Sequence, residues 1–202
     1  MSTLYRYADY LQQPVPENFP KTGYHREKIA PLGAGQQFPE FFLEADQVIK
    51  DAGLLTQGAS IHTLTAQPLV VVFYSIHWNG YADDLLDQVI ALHPAIEAAG
   101  AKLLLISSEG RKQFEAVNKQ EIPFDVVYDR DFDIAKKAGI YKKSDPIWGF
   151  VAGVNEDVPV PAVYIITPAL QIRYAFADKY LEHQLQPAEL LAAIENRTAI
   201  TA

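Results

Sequence analysis

The chain has 202 residues, 25 acidic and 17 basic side chains, a formal net charge of −8 and no cysteine. That length suits one domain with an extension, and a hydrophobic content of 49% supplies a sizeable core and argues against disorder throughout. The missing thiol excludes disulfides, thiolate nucleophiles, Cys zinc sites and Cys-ligated iron–sulfur clusters in this chain. The acidic balance disfavours nucleic acid, whose phosphates call for clustered Lys and Arg.

Residues 1–32 read as an N-terminal extension packed on a body of residues 33–202. Pro14, Pro16, Pro20 and Pro31 interrupt any long element there, and Tyr5, Tyr7, Tyr10, Phe19 and Tyr24 are expected to anchor it. The first residues lack the basic region and apolar run of a secretion signal. The longest clearly apolar run, 69–74, is far short of the roughly 20 residues that span a bilayer. A cytoplasmic location without a membrane partner is therefore expected.

Residues 41–43 and 61–64 predict short early strands, with a turn near Asp51-Ala-Gly53. Leu69-Val-Val-Val-Phe-Tyr74 is β-rich and apolar at every position, as in a strand covered on both faces. From Asp83 to Ala99, Leu85, Leu86, Val89, Ile90, Leu92 and Ile96 recur at helical spacing. Gly100 is a stop, and Pro94 marks a bend or a second start. A strand follows over 102–106, then a helix carrying Phe114 and Val117, a strand over 124–128, and a short helix over 131–138 closed by Gly139.

The segment 141–160 breaks the rhythm with Pro146, Trp148, Gly149, Gly153 and Pro159, and predicts a long loop. Residues 162–166 and 171–175 flank Thr167-Pro-Ala-Leu as a hairpin, and Pro187 opens a last helix with Leu190, Leu191 and Ile194 inward. Strand–helix alternation followed by a hairpin and a helix implies an α/β fold, a central mixed β-sheet flanked by helices.

Several stretches in this order resemble the AhpC/TSA-like, peroxiredoxin-related group of the thioredoxin-fold superfamily. Gly35-Gln-Gln-Phe-Pro-Glu-Phe-Phe-Leu43 resembles its opening segment, and Phe73-Tyr-Ser-Ile-His-Trp-Asn-Gly-Tyr-Ala82 its first core strand and active-site loop. Val158-Pro-Val-Pro-Ala-Val-Tyr-Ile-Ile166 is similar to the segment bearing the cis-proline; the resemblance is compatible with a cis Val160–Pro161 bond, and the sequence alone leaves cis or trans open. The resemblance spans roughly residues 33–196 and implies a thioredoxin-like fold.

At the implied active site the reactive atoms are replaced. Asn79 stands where the family has its first cysteine, Ala82 where a second would be, and Gly80 in place of the intervening proline. Ser75 takes a position often held by arginine, and His183 and Gln184 lie where another arginine is common. Thiol peroxidase chemistry needs a thiolate that attacks the O–O bond and becomes a sulfenic acid, and a second thiol or external reductant that resets it. No side chain of this chain can do so.

What remains is a polar, aromatic loop: His77, Trp78, Asn79, Tyr81, Asp83 and Asp84. Under the resemblance it lies at a helix N-terminus, whose free N–H groups suit an anion or a carbonyl oxygen. Trp78 and Tyr81 would wall a cleft facing Pro161. Trp78, Asn79, Tyr81 and Pro161 are thus the candidate ligand-binding residues. If the chain is an enzyme, His77 and Tyr81 are the candidate proton-transfer groups.

Plainer roles fit the same residues. Asn79-Gly80 is a turn dipeptide, Asn caps helices, Asp83 and Asp84 complement a helix dipole, and a lone His often makes one satisfied hydrogen bond. No Gly-x-Ser-x-Gly supports a Ser75/His77 hydrolytic pair. No His-x-x-x-His or His-Glu-x-x-His occurs, so neither metal nor cofactor is expected, although a fold could join His77 to His183. Asp129-Arg130-Asp131 reads as a strand exit and helix cap, and Trp148 and Phe150 either cover the cleft, offer a partner surface or plug the core. Asn196-Arg-Thr198 formally matches a glycosylation site.

Three readings follow: a redox-inactive protein binding a small molecule or a protein segment, a non-redox enzyme in the same cleft, and a structural or oligomerising module. A homodimer is a candidate assembly.

Overall fold

A computed structural model describes residues 27–55 and 58–195. The anchors Tyr5, Tyr7, Tyr10, Phe19 and Tyr24 and the Asn196-Arg-Thr198 motif lie outside the described residues.

Strand β1 (Phe42–Leu43) is followed by β2 (Val48–Lys50) and β3 (Ala59–Ser60). β1 and β3 pair antiparallel in a small sheet of their own. Helix α1 (Ile61–Leu64) occupies the second of the two predicted early strands, which corrects that expectation. The Ser60 side chain accepts the Thr63 N–H, and the Thr65 hydroxyl donates back to the Ile61 carbonyl oxygen at 2.8 Å. Ile61 and Leu64, three apart, then fall on one buried face. Four residues are too few for periodicity to separate helix from strand, and the cap decides.

The main sheet is built on β4 (Leu69–Tyr74), in which no residue is more than 2% exposed. β5 (Lys102–Ser107) pairs parallel to it on one side, and β7 (Ala162–Ile166) antiparallel on the other. β6 (Asp125–Tyr128) lies parallel to β5, β2 closes that side antiparallel, and β8 (Ile172–Ala177) closes the other side antiparallel to β7. The order is β2-β6-β5-β4-β7-β8, a mixed six-stranded sheet. β4 reads as a continuous apolar run because it lies in the middle of the sheet with both faces covered. The predicted hairpin is β7–β8, turning through Thr167–Leu170 with the Leu170 N–H on the Thr167 carbonyl.

Helix α2 (Gly80–Ala98) links β4 to β5 and buries Leu85, Leu86, Val89 and Ile96. It packs on β5 and on the last helix, α5 (Pro187–Glu195). It begins three residues before the predicted Asp83 and runs unbroken through Pro94. α3 (Arg111–Val117) and α4 (Asp133–Lys137) are shorter. The predicted cap before α4 comes from Asp129, whose carboxylate accepts the N–H groups of Ile134 (3.0 Å) and Ala135 (2.8 Å). In the 141–160 loop, Ile147 is the core plug, while Trp148 is exposed and Phe150 half-buried.

Residues 29–32 run along the body. Ile29 is buried, and the N–H groups of Ala30 and Leu32 donate to the carbonyls of Gly139 and Ala138 at 3.0 and 3.1 Å. The described residues contain no cis peptide bond, so Val160–Pro161, left open by the sequence, is trans. Pro161 is buried, and its carbonyl accepts the Asp178 N–H at 3.0 Å. Among the described residues no helix is long and apolar enough to cross a membrane.

Candidate functional site

β4 ends at Tyr74, and the chain must turn from strand to helix within a few residues. Ser75 manages the first half. Its backbone is extended, and its hydroxyl oxygen accepts the His77 N–H at 3.2 Å, starting a single 3-10 turn over Ile76–Trp78. Asn79 manages the second half, with φ 54° and ψ −139°, a region few non-glycine residues occupy. Its side chain does not cap α2. The amide instead donates to the Gly153 carbonyl oxygen at 2.8 Å, tying the loop to the 150s segment.

Trp78 points inward. It is 1% exposed, and its indole N–H donates to the Pro159 carbonyl oxygen at 3.0 Å. Its ring packs edge-on against Tyr74 and Tyr81. The Tyr81 hydroxyl donates to the His183 carbonyl oxygen at 3.0 Å. Burial and the Asp178 carboxylate raise the Tyr81 pKa, so at neutral pH it is a phenol.

Sequence reasoning overlooked two buried carboxylates here. Glu109, just past β5, accepts the Ser75 hydroxyl at 2.6 Å, the Ile76 N–H at 3.1 Å and the Ser107 hydroxyl at 3.3 Å. It is 4% exposed, and burial raises its pKa against the opposing pull of these donors and of His77. The His77 ring, Nε2 at 4.0 Å from the Glu109 carboxylate, is partly exposed. Ser75 is fully buried and its hydroxyl donates to Glu109 rather than to His77, so the two form no nucleophile–base pair. Asp178 accepts the N–H groups of Tyr180 and His183 at 3.1 and 2.6 Å and lies 3.6 Å from the His183 ring. It thereby holds the turn that receives the Tyr81 hydroxyl. Both carboxylates read in sequence as ordinary loop residues; Glu109 finds Ser75 and Ile76 more than 30 positions earlier, and Asp178 closes a local turn through Tyr180 and His183 that no motif announces.

His77 therefore faces Glu109 and His183 faces Asp178. Among the described residues no group of three or more His, Asp or Glu side chains could hold a metal ion.

Beside this loop opens a cleft of about 480 Å³, lined by residues 78–81, 150–152, Val154 and 180–182. Phe150 and Tyr180 meet edge-to-face at 5.8 Å, and the Lys179 ammonium sits 4.5 Å above the Phe150 ring. The cleft thus has aromatic walls and a polar rim, at the loop where Asn79 replaces the implied thiol. Pro161 and His77 are not among its lining residues.

The model of the AhpC/TSA family matches residues 34–175 of the chain. The chain belongs to the AhpC/TSA family.

Within the AhpC/TSA family it is a member without cysteine. Solved structures share the fold. Reduced 2-Cys peroxiredoxin of Plasmodium vivax is 14% identical with a TM-score of 0.63, over 82% of this chain and 81% of that one. AhpC of Mycobacterium tuberculosis is 17% identical, TM-score 0.60, over 83% and 93%. Peroxidoxin BcpB of the same organism is 13% identical, TM-score 0.59, over 83% and 99%. At such identities the likeness is one of fold. No curated protein matches the sequence. The AhpC/TSA thiol cycle has no side chain to run on in this chain, since sulfenic acid chemistry requires a thiolate.

Proposed function

We propose that this cysteine-less AhpC/TSA chain acts by binding, holding a small organic molecule or a peptide segment with an aromatic group in the cleft beside Asn79. The supporting observation is the cleft itself: about 480 Å³, walled by Phe150 and Tyr180 and braced by the Asn79–Gly153 hydrogen bond. Its volume lies in the range of ligand pockets. Trp78 and Tyr81 support this reading as the inner wall. Asn79 supports it as the brace that fixes the distance between the cleft's two sides, and Pro161 as backing behind the Asp178 turn.

Native mass spectrometry of the protein from its own host, with a denatured control, tests the proposal. A mass excess in the wild type, lost on denaturation and absent in Ala152→Trp, which fills the cleft, is the expected result. An excess retained by Ala152→Trp places the ligand elsewhere and overturns it.

A second reading, proton transfer by His77, draws on the Glu109 carboxylate 4.0 Å from its ring. Tyr81 contributes little to it, because its hydroxyl is already donated to His183. His77→Ala separates the two readings: lost turnover with retained ligand affinity favours the enzyme, and unchanged behaviour favours the binder.

A further inference from the structure

Asn79 and Gly80 meet at the turn from strand to helix in the geometry of a reacting pair. Around the Cα–C bond of an L-residue, Cβ lies a third of a turn from the residue's own nitrogen. At the ψ of −139° found at Asn79, the Gly80 nitrogen therefore stands close to eclipsing the Asn79 Cβ. Helical and extended backbones hold these two atoms well apart. The eclipsed arrangement is that of a succinimide, the ring closed when a backbone nitrogen attacks the side-chain carbonyl carbon of the asparagine before it.

The surroundings favour the attack. Of the five asparagines in the chain, only Asn79 precedes a glycine. Gly80 has no side chain to hinder the approach, and the space a Cβ would take there is open. Its N–H begins α2 and has no acceptor among the described residues. Negative charge developing on that nitrogen lies at the positive end of the α2 dipole. Asn79 and Gly80 are both exposed and both line the cleft, so water reaches them. Asn118, by contrast, uses both ends of its amide, accepting the Tyr74 hydroxyl and donating to the Phe114 carbonyl oxygen.

We propose that Asn79 is a site of self-modification, converted to aspartate and isoaspartate through a succinimide with Gly80. The Gly80 nitrogen gives its proton to solvent and bonds to the Asn79 Cγ. The Cγ–Nδ2 bond breaks, and Nδ2 takes a proton from solvent and leaves as ammonia. Water then opens the ring. Addition at the side-chain carbonyl restores the normal backbone with an aspartate side chain, and addition at the backbone carbonyl gives isoaspartate. One water is consumed, one ammonia is released, and no electrons are transferred. Either product puts a carboxylate where the amide donated to the Gly153 carbonyl oxygen. The brace across the cleft is then lost, and the rim gains a negative charge on the cleft that Glu182 also lines. The reaction needs no ligand, so it stands whether or not the cleft binds one.

Peptide mapping of the full chain, incubated in mildly alkaline buffer, reads the conversion as a mass gain of about 1 Da at Asn79. Electron-transfer fragmentation separates aspartate from isoaspartate. Asn79 should convert roughly tenfold faster than Asn155, which is also exposed but precedes Glu156. It should convert at least as fast in the folded protein as in the same chain unfolded in urea. Equal rates at the two asparagines overturn the proposal. So does a folded rate below the unfolded one, because the fold would then oppose the ring closure. This comparison uses the wild type alone and decides the matter even if a variant fails to fold. Gly80→Ala should slow the conversion about fivefold, and an unchanged rate in a folded Gly80→Ala chain counts against the backbone attack. Asn79→Asp carries the product charge on a normal backbone. Its amide exchange over residues 151–154 should rise about fivefold while β4 and β7 stay as in the wild type. Wild-type exchange over 151–154 overturns the claimed loss of the brace.

Discussion

Glu109 and Ser75 lie 34 positions apart, and the Ser75 hydroxyl donates to the Glu109 carboxylate at 2.6 Å inside the protein. The bond fastens the end of β4 to the turn after β5, and the same carboxylate holds the Ile76 N–H. Glu109→Ala leaves two buried hydroxyls, of Ser75 and Ser107, and the half-buried Ile76 N–H without their acceptor. It should cost about 2–3 kcal/mol of stability, given the penalty of unsatisfied buried polar groups. Glu109→Gln keeps an acceptor oxygen and should cost less than half of that. Urea unfolding measures both, and an alanine variant within 0.5 kcal/mol of wild type would show that the staple contributes little.

Asp129 predicts a pH dependence of stability. Burial raises its pKa from the ordinary 3.8 to about 6, despite the two N–H groups it accepts from α4. The folded carboxyl therefore binds its proton more tightly than the unfolded one. Relative to the non-titrating Asp129→Asn, wild-type stability should fall as pH rises from about 4 to about 6 and stay level above. A shift of two pKa units corresponds to roughly 3 kcal/mol across the window. Unfolding free energies of both proteins at pH 4, 5, 6 and 7 give the difference directly, and a difference that is flat or rises with pH contradicts the burial argument.

Gly139 sits at φ +72°, and a Cβ there would collide with the Ala30 carbonyl oxygen. Gly139→Ala combines a left-handed backbone with that collision. It should destabilise by about 2–3 kcal/mol and loosen the 29–32 segment. Faster hydrogen exchange at the Ala30 and Leu32 amides than elsewhere in the body is the specific sign, and uniform change across the body would count against it.

The two tryptophans differ sharply in exposure. Trp78 is buried, while Trp148 is 55% exposed. Trp148→Phe should leave blue-shifted emission resistant to acrylamide. Trp78→Phe should leave red-shifted, readily quenched emission and cost about 2–3 kcal/mol, from the lost volume and the unpaired Pro159 carbonyl. Equal quenching of the two variants would contradict the inward orientation of Trp78.

Much of the sheet was legible in the sequence because its signals are local. The run Leu69–Tyr74, the helical spacing behind Leu85 and Ile96, and the Thr167-Pro turn each announce an element from within a few residues. β2 escaped notice: its three residues gain strand character only from pairing with β6, more than 70 residues later. Ile61–Leu64 was misread for a related reason, since four residues carry no period and the Ser60 cap settles the matter. At the site, the residues at 77–81 stood out by chemistry, but their orientations did not.

The sequence by itself determined that no thiol chemistry is open to this chain, since a missing atom stays missing in any fold. It also determined the family's order of elements, written in hydrophobic period and turn residues. Only the tertiary structure decided that Trp78 faces the core, that Asn79 braces Gly153, that Glu109 and Asp178 lie buried beneath the loop, and that Phe150 and Tyr180 wall the cleft. Most of these join residues from 30 to about 80 positions apart, as Trp78 does with Pro159, Asn79 with Gly153, Glu109 with Ser75 and Phe150 with Tyr180. Such relationships depend on how separate elements pack, and no local pattern in a single chain encodes them.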